Sequence, residues 1–354
     1  MRAKRKRATP GILRVSVTDF GPISSAEIEM RPLIIFTGRN NTGKSHAAML
    51  IHSMLAAEGE AFPARGAGDE FGDVFEGAVT GIFGSDPRGL VRRGRRSARI
   101  TAGGPGGISI SISDRITARR GKRCRRSRLE GAPASSYLAS GRAVPPPGRG
   151  RFYDLASVIE SEMLGGSITA AGGFPRIRYG TGRTVPLHRA PPAAADLAPM
   201  LLHLKHAAEP GSLVIIEEPE AHLHVTGQAL LAKHITRMVR AGLFVLLVTH
   251  SYVLVEEIGT HVKAGAAGPA IRKRLGFGPG DHLGIDEVAP YAFKRSRGSG
   301  CRAERIKVDA VEGIPQAEFV EVLGEMYDRS MDLDAAIERA GGGRIGAGEA
   351  RRGS

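Results

Sequence analysis

Cysteine is almost missing from this sequence: Cys124 and Cys301 are the only two in 354 residues. Two thiols cannot staple a chain of this size, so a disulfide scaffold is excluded, and they fit a reducing cytosol. No apolar run approaches the ~18 residues that a membrane span needs. That excludes a spanning helix and points to a cytoplasmic protein with no membrane partner. The basic start, MRAKRKRATP, is followed by no apolar stretch and does not read as a secretory signal. Internal repeats and sustained heptads are also absent, which argues against long coiled arms. Aromatic residues are few near the basic clusters, so stacking of bases on a protein platform is not indicated.

What is present is positive charge and enough apolar residue for a core. Hydrophobic residues make up 42% of the chain, and the formal net charge is +14. Arginine supplies most of the excess. One source is a GC-rich genome that prefers arginine codons; the other is attraction to phosphate, in nucleic acid or nucleotide. Two clusters favour the second: Arg92, Arg93, Arg95 and Arg96, and the run 119–126 that contains Cys124.

Short continuous apolar runs alternate with helical periodicity. Residues 12–18 and 25–30 read as strands around the turn Phe20-Gly21-Pro22. Leu33 to Thr37, Leu213 to Ile216 and Leu243 to Val248 read as strands buried on both faces. Residues 43–55, 152–164, 194–207 and 226–240 read as helices. The alternation of Ile108, Ile110 and Ile112 with serine has the period of a strand. This pattern predicts an α/β fold with a mixed or parallel central sheet.

Gly38-Arg39-Asn40-Asn41-Thr42-Gly43-Lys44-Ser45 matches the phosphate-loop pattern G-x-x-x-x-G-K-S/T between a predicted strand and a predicted helix. Its backbone N–H groups would curl around phosphate oxygens, with the helix N-terminus, including His46, behind them. Lys44 would reach the β and γ phosphates of ATP, and Ser45 would bind Mg2+. Such a loop requires an acid at the end of a neighbouring parallel strand. The stretch IIEEPEAHLH supplies two: Glu217 for the metal and Glu218 for the attacking water. One strand beyond, Val248-Thr249-His250-Ser251 places His250 to sense the γ phosphate. His222 and His224 form an H-x-H pair, but no further ligand stands at convincing spacing for zinc. His203 and His206 share one helical face and read as packing or surface residues. No N-K-x-D sequence is present, so a GTPase fits worse.

The phosphate loop, IIEEPEAHLH and VTHS together resemble the ABC-type ATPase domain of the SMC/RecF/OLD group, and most of all the prokaryotic AAA-family ATPases allied to OLD nucleases. Phe20-Gly21-Pro22-Ile23 before the loop is similar to that family's FGPI. Tyr137 to Arg142 is similar to its YLPAxR, and Val311-Glu312-Gly313-Ile314 with Phe319 to its C-terminal helix. The resemblance spans residues 12–335. There are departures. Val225 replaces a proline after EAHLH. Ala193-Ala194-Ala195-Asp196 stands where a signature serine would contact the opposite subunit's nucleotide. Gln228 and Gln316, the only glutamines, lie outside the interval of the usual metal-side glutamine.

The resemblance implies a P-loop NTPase with an N-terminal antiparallel β subdomain and a helical lobe. The expected organisation is a basic tail at 1–10 and an ATPase domain at 11–260. Within it lie an arginine-rich, β-rich insertion at 58–150 and helices at 151–207. A small α/β extension follows at 261–339, then a disordered tail from 340. No nuclease domain is expected after Glu257. The implied function is ATP-driven homodimerisation with output to DNA or to a separately encoded nuclease or other effector, as in DNA repair or phage defence. A non-hydrolysing ATP sensor, or a nucleic-acid-binding protein with a weakened ATP site, are the alternatives.

Overall fold

A computed structural model describes residues 13–61, 70–103, 107–120, 135–138, 149–169, 175–296 and 300–345. The basic tail, most of the second arginine cluster (121–126) and residues 139–142 lie outside them. The chain divides into two units, Met1–Ile314 and Pro315–Ser354.

The first unit is built on one large mixed sheet. In chain order its strands are β1 (Arg14–Phe20), β2 (Ile23–Glu29), β3 (Leu33–Gly38), β4 (Ala98–Ala102), β5 (Ile108–Ile112), β6 (Ile116–Arg120) and β7 (Ser135–Leu138). A small separate sheet contains β8 (Gly166–Thr169), β9 (Arg176–Tyr179) and β10 (Thr184–Pro186). The large sheet resumes with β11 (Leu213–Glu217), β12 (Phe244–Val248), β13 (Val288–Arg295) and β14 (Cys301–Arg305). Its spatial order is β6-β5-β4-β1-β2-β14-β13-β3-β12-β11-β7. One wing, β6 to β2, is antiparallel; the other, β13 to β7, is parallel. The expected antiparallel subdomain is thus continuous with the ATPase sheet.

Strands β3, β11 and β12 carry unbroken apolar runs, with helices covering both of their faces. Residues Ile34 and Phe36 of β3 pack in one core, together with Leu50 of α1 (Lys44–Ala61) and Phe75 of α2 (Glu70–Phe83). Leu33 and Ile35 turn to the other core. There they join Ile159 of α3 (Tyr153–Leu164), Leu201 of α4 (Pro192–His206), Ile235 of α5 (Val225–Arg240) and Ile258 of α6 (Tyr252–Ala266). Strand β1 instead alternates buried and accessible positions along its length, the mark of a one-sided strand. A short helix, α7 (Pro269–Arg274), follows α6.

The expected division at residue 260 falls inside α6. Beyond it, β13 and β14 insert between β3 and β2, so residues 288–305 complete the central sheet. Sequence order could not show this, because a late strand may enter an early gap in a sheet. Among its described residues the second unit holds one helix, α8 (Ala317–Ile345), which continues past the expected order limit at 340.

The helical lobe is tied by a buried ion pair. Lys205 Nζ on α4 stands 2.6 Å from Glu160 Oε2 on α3, with both side chains almost fully buried. The Ile168 N–H donates to Glu160 Oε1 at 3.0 Å, and Lys205 donates to the Ile168 carbonyl at 2.9 Å. Burial pushes the Glu160 carboxyl up, against the pull of Lys205. Removing one partner strands the other charge, which typically costs about 3–5 kcal/mol. Lys205→Met is therefore expected to lose stability of that order in urea unfolding. Glu160→Leu combined with Lys205→Met should regain part of the loss; an exposed-pair effect below about 1 kcal/mol would refute the buried-pair account.

Candidate active site

Strand β3 ends at Gly38 and the chain enters α1 at Lys44. Between them the backbone takes left-handed values at Asn41 (φ 60) and Gly43 (φ 96), with Gly38 at φ 124. Glycine adopts these at little cost and asparagine tolerates them, and such alternation forms an anion-binding nest of N–H groups. Packing also demands the glycines. A Cβ on Gly38 would lie 2.5 Å from the Phe293 carbonyl oxygen, and one on Gly43 would lie 2.8 Å from Ile23 Cγ1. Lys44 folds over the loop, donating to the carbonyls of Gly38 (3.0 Å) and Arg39 (2.9 Å). Thr42 Oγ1 donates to the same Arg39 carbonyl at 2.8 Å. Burial lowers the Lys44 pKa, and Glu218 and Glu217 oppose that shift. Arg39, Asn40 and Asn41 are exposed and Ser45 is half-buried at the start of α1. His46 packs against Phe83, with ring centroids 5.4 Å apart, and its ring would clash with a side chain at Gly21. Burial lowers its pKa, with Glu217 opposing.

The two glutamates part where β11 ends. Glu217 is its last residue, level with Val248 of β12. Glu218 stands at φ 45, an unusual conformation for a residue with a side chain, and its N–H donates to the Val248 carbonyl at 2.8 Å. This left-handed step turns Glu218 out of the strand. Its Oε1 lies 3.4 Å from His250 Nε2. Partial burial lowers the His250 pKa, the Lys44 ammonium adds to this, and Glu218 and Glu220 oppose it.

The strand order corrects one expectation. The acidic strand is not beside the phosphate-loop strand. Strand β12, which carries His250, pairs with β3, and β11 lies beyond it. The side of β3 that a later parallel strand takes is not written in chain order; here the α5 crossover returns the chain into the gap.

A third acid joins the two loops. Glu220 Oε1 accepts from Thr249 Oγ1 (2.6 Å), the His250 N–H (2.8 Å) and the Ser251 N–H (3.2 Å). Ser251 Oγ donates to Gln228 Oε1 at 2.5 Å and accepts from the Leu254 N–H, which caps α6. Gln228 in turn donates to the Leu223 carbonyl at 3.0 Å. The His250 loop is thereby pinned to the segment that follows Glu218. Sequence reasoning did not assign Glu220 or Gln228 a role. The available signal was a third acid, two residues past the pair, facing a segment with two hydroxyls.

His222 and His224 do not act together. His222 Nδ1 meets Asp196 of α4 at 2.5 Å, beside a cavity of about 360 Å³ that also touches Glu217 and Glu218. His224 Nδ1 accepts from the Thr226 N–H and caps α5. Among the described residues, no three His, Cys, Asp or Glu side chains form a cage for a metal. The donor set here is one hydroxyl, Ser45, and one carboxylate, Glu217. That suits Mg2+, which takes few protein oxygens and fills its shell with phosphate and water. A larger cavity, about 440 Å³, lies over β2, β13 and β14; there Glu29 is paired with Arg14, Arg31 and Arg305.

This sheet, with a phosphate loop, an acidic strand end and a histidine strand end on the same side, is a P-loop NTPase fold like that of SMC heads. The family model described as "AAA domain, putative AbiEii toxin, Type IV TA system" matches residues 135–256, which hold the acidic and histidine loops. The fold is similar to that of an Smc head bound to the C-winged helix domain of ScpA (TM-score 0.50, 11% identity, covering 85% of this chain and 99% of that one). It is also similar to the Smc head of Pyrococcus furiosus with an extended coiled coil, bound to the C-terminal domain of ScpA (TM-score 0.51, 8% identity, covering 89% and 98%). No curated protein matches the chain. Among the described residues, no helix is long and apolar enough to cross a membrane.

If Glu220 positions the His250 loop, Glu220→Ala should lower kcat for ATP turnover by about tenfold or more, each 1.36 kcal/mol of lost positioning being tenfold. The Kd for ATP should stay within about twofold, because the phosphate loop is untouched. An equal loss in kcat and affinity, measured by steady-state turnover and calorimetry, would instead mean a general collapse of the site.

Proposed function

We propose that this chain binds ATP with Mg2+ at Gly38–Ser45, hydrolyses it, and forms a homodimer around it that signals to DNA or to a separately encoded effector. The observation that carries the reading is the placement of Glu218. A left-handed backbone step turns it away from Glu217, and its carboxylate lies 3.4 Å from the His250 imidazole. In this reading the loop amides and Lys44 hold the phosphates, and Ser45 and Glu217 hold the metal. Mg2+, when bound, would offset the charge of the phosphates. Glu218 orients and deprotonates the attacking water, and His250 bonds the γ phosphate and reports its presence. The exposed Arg39, Asn40 and Asn41 line the mouth of the loop; His46 supports it from the body side.

Hydrolysis is expected to be slow. Helix α4 opens with Pro192-Ala193-Ala194-Ala195, which offers no hydroxyl to an opposite nucleotide, and Asp196 is engaged with His222. That same feature is what favours the second reading, a sensor in which ATP sets the conformation without turnover.

Lys44→Ala is expected to abolish ATP binding in calorimetry. Glu218→Gln should keep the affinity, stop turnover and trap an ATP-bound dimer. Turnover of the Glu218→Gln variant at the wild-type rate would remove Glu218 as the base. A wild type with no turnover, with or without DNA, would decide for the sensor.

DNA is proposed as a partner through the exposed arginines near β4. The structure narrows this patch. Arg92 is not available: its side chain is 7% exposed, and its Nε stands 2.6 Å from Asp19 Oδ1. Arg95 approaches the same carboxylate at 3.5 Å. Arg93 and Arg96 are exposed. Arg93→Ser with Arg96→Ser should weaken DNA binding, and affinity should fall with salt by roughly 0.7–0.9 log units per phosphate contact per decade. A flat salt dependence, or unaltered affinity, would remove nucleic acid as the role of the patch. A protein partner is the other proposed outlet; the Smc heads of similar fold are each bound to part of ScpA in their structures.

A further inference from the structure

The small sheet of the first unit has one face in the core and carries charge on the other. Ile168 of β8 and Ile177 of β9 are buried as a cross-strand pair, and Val185 of β10 packs against the same core. Cross-strand partners share a face, so the register also fixes the opposite side. There Arg178 stands between Ser167 and Thr184, and Arg176 between Thr169 and Pro186. Thr169, Arg176, Arg178 and Thr184 are exposed. So are Arg183, in the turn that joins β9 to β10, and Arg189, just past β10. From Met163 to Ala195 the chain holds these four arginines and no Asp or Glu.

Elsewhere in this unit arginines are held by acids: Arg92 by Asp19, Arg237 by Asp281, Arg240 by Glu287. Among the described residues, the guanidinium groups of Arg176, Arg178, Arg183 and Arg189 have no such partner. The acids of the neighbouring helices α3 and α4 are engaged with other cations: Asp154 with Arg149, Glu160 with Lys205, Glu162 with Arg237, and Asp196 with His222. Arg176 and Arg178, two residues apart on one strand, are separated by only about 6.6–6.8 Å along it. Their mutual repulsion gives the fold nothing, because the isoleucine face already seats the sheet. A cluster of one sign with no internal counter-charge attracts an external polyanion.

We propose that this face binds the phosphate backbone of duplex DNA without regard to sequence. Guanidinium groups and hydroxyls are the side-chain donors that meet phosphate oxygens, and the register alternates them across the three strands. Among the described residues the face has no aromatic ring, since Tyr179 packs on the core side. Single strands therefore find no stacking surface there. A protein partner would call for a large apolar or aromatic anchor, and Pro186 is the largest apolar group in the register of this face. The surface is separate in sequence from the patch at Arg93 and Arg96, and it does not depend on the ATPase reading.

The test is fluorescence anisotropy of a labelled DNA duplex of mixed sequence, with the full-length chain and no nucleotide. Wild type should bind at low salt and weaken as salt is added. Arg176→Ser with Arg178→Ser should weaken binding by about tenfold or more at physiological salt, and should flatten the slope of log affinity against log salt by about 0.9 per contact removed. Arg176→Lys with Arg178→Lys keeps the charge and should stay within about threefold of wild type. An equal loss in the serine and lysine pairs would overturn the charge account in favour of a folding defect. Lys44→Ala should bind the duplex as wild type does, so a failed ATPase reading leaves this result untouched. Arg93→Ser with Arg96→Ser reads the other patch by itself. Wild-type affinity or an unchanged salt slope in the Arg176→Ser, Arg178→Ser variant would overturn the proposal, whatever the Arg93 and Arg96 variant does. A wild type that does not bind the duplex at low salt would do the same. Polyglutamate that displaces the duplex at equal charge concentration would overturn it in favour of an acidic protein, and tighter binding of a single strand of equal length would overturn the duplex.

Discussion

Strands β3, β12 and β11 are hydrogen-bonded side by side, in parallel, with both faces buried. Leu33 and Ile35 look into one core and Ile34 and Phe36 into the other, so a slip of one residue would exchange the two sets. A small step in register would also move the strand ends relative to one another. Those ends are where the chain departs to form the phosphate loop, the glutamate pair and the histidine loop. The site therefore inherits its geometry from the packing of aliphatic side chains some distance away. Polar contacts then fix what the strands bring near: Glu218 takes the Val248 carbonyl through its N–H, and Glu220 collects three donors from residues 249–251.

Much of this was legible because it is local. The apolar runs at 33–37, 213–216 and 243–248 are strands, and the phosphate-loop pattern sits at the strand–helix junction where its chemistry needs it. The places of the site residues in the fold were readable for the same reason: Lys44 belongs to the loop pattern between strand and helix, and Glu217, Glu218 and His250 stand at or just past the ends of apolar strands. What stayed hidden was non-local. Strand order placed His250 between the loop and the acids. Strands β13 and β14 entered the middle of the sheet from the far end of the chain. The role of Glu220 depends on contacts across about thirty positions of sequence, with residues whose own pattern gives no hint of them.

Charge is the feature in which composition and structure diverge. The cluster at 92–96 looked uniform in sequence, yet the fold treats its members differently. Arg92 is drawn inward by Asp19, itself in a left-handed conformation (φ 56) at the end of β1, while Arg93 and Arg96 face solvent. A count of arginines overstates the surface field wherever some are structural. The buried Lys205 makes the same point in the helical lobe, where a cation and an anion serve to join α3, α4 and β8.

The close seating of Gly38 on Phe293 has a consequence for how the protein is made. The phosphate loop leaves the ribosome about 250 residues ahead of the strand that walls it. At the usual ~5–20 residues per second, the wait between them is roughly ten to fifty seconds. During that time β3 has no β13 beside it, and β2 has no β14. The nascent chain thus carries an open strand edge next to the phosphate loop, where premature pairing with another chain is easiest. The loop cannot take its finished geometry until β13 is in place beside it.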